Sequence, residues 1–235
     1  MIELPQYDCV RIDSEIEIDG TLTDAAWGSA DVIELLTTDT GEKPRQPTEV
    51  RLLWNSEYLY VGFLCYDQDI WGTIRERDGD IYNEEVVEVF LDPDCDLRAY
   101  IELEVSPLNT LFDAFVVNGK SHGQEMHVLR DWDSETLQHA VSVDGTAKTT
   151  APADRGASIS PPDTSWSCEI AVPFKDLLTA PNIPPKVGDV WRMNLYRIDR
   201  GKTEAEDEYT AWSPTRKIDY HRPQHFGSLR FVEKQ

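Results

Sequence analysis

The sequence predicts an all-β protein, an antiparallel two-sheet β-sandwich of the immunoglobulin or jelly-roll kind with one or two short helical turns. Three observations carry that prediction. Apolar and polar residues alternate in short runs along most of the chain, the period of a half-buried strand. Turn formers such as Asp19-Gly20 and Gly188-Asp189 separate the runs. Helical signals are confined to two single turns. With 235 residues and no repeat at a fixed period, the chain reads as one domain spanning residues 1–235.

Taken in order, residues 7–18 read as one or two short strands ending at the Asp19-Gly20 turn. Thr23 or Asp24 caps a helical turn at 24–27, whose Trp27 indole plugs one end of the core. Leu35-Leu36 leads into a polar loop at 37–47. Residues 49–54 and 58–66 are strong strand patterns, and Asn55-Ser-Glu57 is short enough to join them as a hairpin. Leu59, Val61, Phe63 and Cys65 share one face of the second. Residues 67–83 form a long charged loop holding Trp71, Arg75, Arg77, Asp78 and Asp80, a length that is more often functional than accidental.

Residues 85–91 form the next strand, and Asp92-Pro-Asp-Cys-Asp96 turns the chain. Residues 100–105 alternate strictly, with Ile101, Leu103 and Val105 inward and Tyr100, Glu102 and Glu104 outward. A strand at 111–117 is interrupted by Asp113. Residues 118–135, with His122, Met126, His127 and Trp132, lack a clear period and carry the weakest strand signal. A strand at 138–143 precedes a proline-rich surface loop at 148–163. Residues 166–172 alternate again, and 173–178 read as one amphipathic turn with Pro173 at its start. Strands at 191–198, 209–212 and 227–232 close the chain, the first two separated by a charged loop at 199–208.

Composition restricts the partners. The chain has 22 basic and 44 acidic residues, a net charge of −22 and a pI near 4.4, which excludes nucleic acid and anionic membranes by repulsion. The balance fits a solvated acidic surface, a neutral ligand, or a bound cation such as Ca²⁺. No apolar run approaches the ~20 residues that cross a bilayer. The first residues lack the basic and apolar regions of a signal peptide, which leaves a cytoplasmic location and a removed leader both open. Cys9, Cys65, Cys95 and Cys168 show no CxxC spacing and no His at ligand distance, so neither zinc nor a disulfide scaffold is expected.

One strand is chemically unusual. Val87, Val89 and Leu91 form an ordinary core face, but Glu88 stands between Val86 and Phe90 on the other. Even a neutral polar group buried without a partner costs about 2–7 kcal/mol, so Glu88 needs a donor, a cation, or a groove open to water. Tyr82 lies just upstream, where a loop can hold its ring over that groove. Glu104 shares the face if the two strands pair, and Asp113 is a further carboxylate nearby. Asp92, Asp94 and Asp96 recur at a spacing suited to Ca²⁺ ligation, without the downstream Gly and Glu of an EF-hand.

Landmarks along nearly the whole chain resemble a family 9 carbohydrate-binding module. They are Ile18-Asp-Gly20 with Trp27, Leu53-Trp54 with Leu59-Tyr-Val61, and Glu88-Val-Phe-Leu-Asp-Pro93 with Tyr100, Glu104-Val105 and Asp113. Trp166, Glu169-Ile-Ala-Val-Pro-Phe174, Gly188-Asp189-Val-Trp191-Arg-Met-Asn194, Arg197, Trp212-Ser213, Phe226-Gly227 and Phe231 complete them. The resemblance implies a β-sandwich related to DOMON-like domains, non-catalytic and secreted, periplasmic or cell-surface, often associated with polysaccharide-degrading enzymes. It further implies a sugar held between two aromatic rings, Tyr82 and Trp212, with Glu88 accepting hydroxyl hydrogen bonds. Glu104, Asn194 and Arg197 are candidate liners, and Trp71 is a rival for the place of Tyr82. Arg197 is alternatively the cation that satisfies Glu88.

The chain departs from the family at two places: Tyr82 stands for an expected Trp, and Glu104 for a basic residue that contacts the sugar. Other readings are a glycoside-processing enzyme using Glu88 and Glu104, and an interaction domain that has lost sugar binding. Members of the family bind structural calcium, which Asp92, Asp94 and Asp96 could hold. Haem is a remote runner-up that would rest on Met126 and His127. If Trp212 is a surface clamp, its truncation to Ala leaves stability within about 1 kcal/mol.

Overall fold

The computed structural model describes residues 3–120, 123–149, 162–201 and 203–234. Strand β1 (Gln6–Arg11) is followed by the two-residue strands β2 (Ile33–Glu34) and β3 (Leu36–Thr37). The hairpin β4 (Thr48–Trp54) and β5 (Tyr58–Tyr66) forms as expected, closed by Asn55, whose Oδ1 accepts the N–H groups of Glu57 and Tyr58 at 2.8 Å. β6 (Val86–Asp92), β7 (Ala99–Val105), β8 (Leu111–Asn118) and β9 (Met126–Leu129) make an antiparallel meander. β10 (Gln138–Asp144), β11 (Ser165–Pro173), β12 (Val190–Asp199), β13 (Glu208–Ala211) and β14 (Gly227–Val232) complete the chain.

The expectation of two separate, wholly antiparallel sheets needs correcting. The hydrogen-bonded order is continuous, β10-β11-β5-β4-β1-β14-β12-β6-β7-β8-β9. β1 pairs parallel with β14 on one side and with β4 on the other, through Val10↔Leu53 and Arg11↔Trp54. Parallel neighbours require a long connection. β1 has one, because the long segment between β1 and β4 wraps the outside and most of the chain separates β1 from β14. The sheet therefore has two arms joined at β1.

The arms face each other across the main core. Leu52, Leu59, Val61 and Phe63 from one arm share it with Val87, Val89, Leu91, Leu103 and Leu195 from the other. Trp191, Phe231, Trp54 and Phe174 pack edge-to-face at the seam, with centroids 4.7 Å apart for Trp191–Phe231 and 5.2 Å for Trp54–Phe231. Such pairs add about 0.5–1.5 kcal/mol each beyond area burial.

Both outer faces are covered too. Ile12, Ile16 and Trp27 lie over Leu53 and Tyr60, so residues 12–18 pack as irregular chain where strand was expected. Trp27 Nε1 donates to buried Glu169, which also accepts the N–H groups of Asp19, Gly20 and Leu22. Gly20 has φ +84°, and a Cβ there would lie 2.6 Å from the Val141 backbone, so no other residue fits. On the other arm, Val86, Phe90, Tyr100, Phe112 and Tyr196 form a second apolar cluster beneath Tyr220 and Phe226. As a result no residue of β6 is exposed.

Short 3₁₀ turns stand at Ala25–Ser29, capped by Asp24, and at Phe174–Asp176 after Pro173, as expected. Further turns at Ile81–Asn83, Glu204–Glu206 and Pro223–His225 were not foreseen. In the aperiodic stretch, β9 does form. His122 and residues 150–161 of the proline-rich loop lie outside the described residues.

Arg197 crosses between the arms. It shares the inward-facing side of β12 with Met193 and Leu195, because side chains alternate. Its guanidinium donates to Asp67 at 2.7 Å, to Asp199 at 3.5 Å, to the Tyr66 carbonyl at 2.9 Å and to Thr48 at 3.2 Å. Removing one member of a buried ion pair strands the other charges. Arg197→Leu is therefore expected to lower unfolding stability by about 3–5 kcal/mol in urea titrations; a loss below about 1 kcal/mol would mean the pair is dispensable.

Candidate ligand-binding site

The site is built by register. β6 and β7 pair so that Glu88 stands directly opposite Glu104. Alternation along β7 puts Glu102 on the same face, two residues from Glu104. Carboxylate oxygens of the three lie within 4.8 Å of one another. They form the buried floor of a half-open cavity of about 420 Å³, lined further by Phe112, Ile198, Tyr82, Arg130, Arg200, Tyr209, Tyr220 and His221.

Two arginines hold the walls. Arg200 donates to the Tyr82 carbonyl at 2.7 Å, to the Tyr209 hydroxyl at 2.7 Å and to Asp207 at 2.8 Å, so one guanidinium fixes both tyrosines. Arg130 donates to Asp80 at 2.7 Å and to the Tyr82 hydroxyl at 2.8 Å, and it lies over the Phe112 ring at 5.1 Å. The Tyr82 ring meets Phe112 edge-on, with centroids 6.1 Å apart. These tethers make the cavity pre-formed.

The electrostatics of the floor are unbalanced. Burial, then the charge of Glu102, pushes the Glu88 carboxyl well above its ordinary range. Burial, then the charges of Glu88 and Glu102, does the same for Glu104. Burial raises Glu102 to about 7, although a hydrogen bond with Glu104 works the other way. The nearest cationic candidate is His221, with Nε2 3.9 Å from Glu102. Burial and Lys120 lower it to about 4, so it is neutral at pH 7. Its Nδ1 shares a 2.8 Å hydrogen bond with the Tyr100 hydroxyl.

Of the residues named from sequence, Tyr82, Glu88 and Glu104 are brought together here. Others are placed elsewhere. Trp212 belongs to the main core: Tyr209 and Ala211 share one face of β13, so Trp212 falls on the opposite side, where its ring lies against Gly227. Asn194 is buried and fully used, donating to the Tyr196 hydroxyl and the Ser213 carbonyl and accepting from Leu195 and Ser213. Arg197 faces away from Glu88 and is paired with Asp67, so it is neither liner nor counter-ion. Trp71 is buried beside Lys148, and its N–H donates to Glu85. Asp113 sits on the other face of β8, bound to Arg77 and the Ser134 N–H.

The cofactor candidates separate in the same way. Met126 lines the cavity while His127, next in the strand, is exposed, so the two do not converge on one axial position. Asp92, Asp94 and Asp96 do converge, with oxygens within 4.8 Å. Backbone N–H groups of Leu97, Arg98 and Ala99 occupy Asp92 Oδ2 and Asp96 Oδ1, and among the described residues none hydrogen-bonds buried Asp92 Oδ1. An oxygen-ligated cation fits that donor set.

Several wall residues were missed. Alternation in 100–105 already grouped Glu102 with Glu104, and parity over 208–212 could have exchanged Trp212 for Tyr209. Arg130 and His221 come from segments without a period and left no signal.

A rigid β scaffold with a pre-formed acidic cavity walled by tyrosines defines a class of small-ligand site carried on a sheet face. The chain belongs to the carbohydrate family 9 binding domain-like family, whose model matches residues 18–234. An extracellular protein of Arthroderma benhamiae is 27% identical over 205 residues, covering 86% of each chain. A Bacteroides uniformis protein superposes with a TM-score of 0.70 at 13% identity, over 96% of this chain and 98% of that one. A family 9 carbohydrate-binding module from Caldicellulosiruptor kristjanssonii, in complex with cellotriose, superposes with a TM-score of 0.62 at 13% identity, over 98% and 95%. Among the described residues, no helix is long and apolar enough to cross a membrane.

The raised carboxyls give a pH dependence with a definite sign. Between about pH 4.5 and 7 the folded protein keeps protons on Glu102, Glu88 and Glu104 that the unfolded chain has released. Stability therefore falls as pH rises through that window. Asp113 and Asp199, each raised to about 6 by burial, act in the same direction. Urea midpoints are expected to be higher at pH 5 than at pH 7.5, with a shallower slope in Glu102→Gln; a midpoint that rises with pH contradicts the placement.

Proposed function

We propose that this protein binds carbohydrate without transforming it, as an extracellular module whose two sheet arms act as the layers of a β-sandwich. The observation that carries this is the pre-formed cavity, with Tyr82 and Tyr209 fixed by one guanidinium above a floor of carboxylate acceptors. Pyranose C–H faces stack on aromatic rings, and ring hydroxyls donate to carboxylates. Family membership and the sugar-bound relative support the same reading. Tyr209 takes the stacking part expected of Trp212.

Hydrolysis is the less favoured reading. Glycosidases place two carboxyl groups on either side of the scissile bond, about 5–5.5 Å apart or more. Here the three converge on one point, from adjacent positions of two paired strands. We also propose that Asp92, Asp94 and Asp96 bind calcium, as the unpartnered Asp92 oxygen suggests.

Two measurements test these readings. Calorimetry with cellotriose is expected to show at least about a tenfold loss of affinity in Tyr209→Ala, and none in Trp212→Phe despite its lower stability. The reverse pattern would return the stacking role to Trp212. Calcium should raise the melting temperature of wild type and not of Asp92→Asn; equal shifts in both would remove the turn as the cation site.

A further inference from the structure

The carbohydrate reading leaves the crowding of the carboxylates unexplained, since neutral hydroxyls do not require three acids at one point. We propose that the cavity prefers a sugar bearing a protonated amine, an amino sugar or its oligomer, with the ammonium seated on Glu88, Glu102 and Glu104. This rests on the carbohydrate reading of the same site.

The match is geometric. An ammonium offers three N–H donors and no acceptor, whereas ionised carboxylates only accept. Charge-assisted bonds of about 2.7–2.9 Å to three oxygens hold those oxygens within about 4.6 Å of one another. One oxygen from each of the three carboxylates lies within 4.8 Å of the other two, close to that span. Glu88, Glu102 and Glu104 are 2%, 5% and 1% exposed, so solvent does little to stabilise their charge.

The acids also lack partners of their own. Glu102 Oε2 and Glu104 Oε2 are buried and receive no hydrogen bond from a donor among the described residues. Burial, joined at Glu88 and Glu104 by the charge of their neighbours, pushes all three carboxyls above their ordinary range, so each favours its protonated form until a cation arrives. Arg130 and Arg200, the guanidiniums of the wall, are committed to Asp80 and Asp207 and to the two tyrosines. Among the described residues, His221 is the one basic side chain with a nitrogen within 4.0 Å of a carboxylate oxygen of the three, and it is neutral at pH 7. Arg200 and Arg130 act on the trio only from a distance, and an entering ammonium supplies a positive charge in direct contact and displaces protons that the acids hold.

A calcium or magnesium ion would use the same oxygens but completes its shell with six or more. Apart from Asn83, Met126 and His221, whose Nδ1 is already bonded to the Tyr100 hydroxyl, the rest of the wall is aromatic, aliphatic or guanidinium and adds no carboxylate oxygen. A cavity of about 420 Å³ between Tyr82 and Tyr209 suits a charged ring better than an ion.

The test is calorimetric titration of the full chain with glucosamine, glucose, N-acetylglucosamine and calcium chloride near neutral pH. Glucosamine is expected to bind at least about tenfold tighter than glucose or N-acetylglucosamine, as charge-assisted bonds require. Proton release, read from two buffers of different ionisation heat, should accompany glucosamine and not glucose. The ratio of glucosamine to glucose affinity should collapse towards one in Glu104→Gln and in Glu102→Gln; the wild-type measurements stand alone if either variant fails to fold. Equal or tighter binding of glucose overturns the amine preference while the carbohydrate reading survives. Calcium competing with glucosamine for the wild type, with equal loss in the Gln variants, overturns it in favour of a metal site. Failure of every sugar to bind overturns both readings.

Discussion

The arm containing β6, β7, β8 and β12 is covered on both faces, and that constraint shapes everything the site can do. Val87, Val89 and Leu91 pack into the core between the arms, while Val86 and Phe90 pack under Tyr220 and Phe226. A strand buried on both sides offers no solvated face for a charge. Glu88 can therefore keep its place only where the outer cover is broken, and the break is the cavity between Tyr82 and Tyr209. Local depth, register and opening follow from one requirement: the acid must meet something other than hydrocarbon.

The protein handles buried charge in two contrasting ways. At Arg197, four partners from both arms surround one guanidinium, which makes a closed centre whose work is structural. At Glu88, Glu102 and Glu104 three acids face one another, and the hydrogen bonds of the nearby guanidiniums go to other acids. In the first arrangement the chain itself supplies the counter-charge, from Asp67 and Asp199. The second needs protons or a ligand, which is how a binding site differs from an ion pair at similar depth.

Much of the fold was legible because period-two patterning is unambiguous where one face is apolar. The hairpin β4–β5, the strict alternation of β7 and the strand around Glu88 all stand where the sequence put them. The pairing of Glu88 with Glu104 followed once the strands were taken as neighbours. What escaped was long-range pairing: nothing in Gln6–Arg11 announces parallel partners on both sides, because register between distant segments leaves no local trace. The site was half legible. Trp212 was chosen for its ring, although alternation from Tyr209 and Ala211 turns it into the core, and Arg197 was misplaced by the same neglect of parity. Arg130 and Arg200 were invisible because they project from loops whose path only the folded chain defines.

The account stands or falls on where a sugar sits. Crystals of the protein soaked with an oligosaccharide would locate it directly. The account predicts a ring between Tyr82 and Tyr209 with polar substituents on Glu88, Glu102 and Glu104. Density for the sugar against Trp212, or only on a surface remote from these carboxylates, would contradict it.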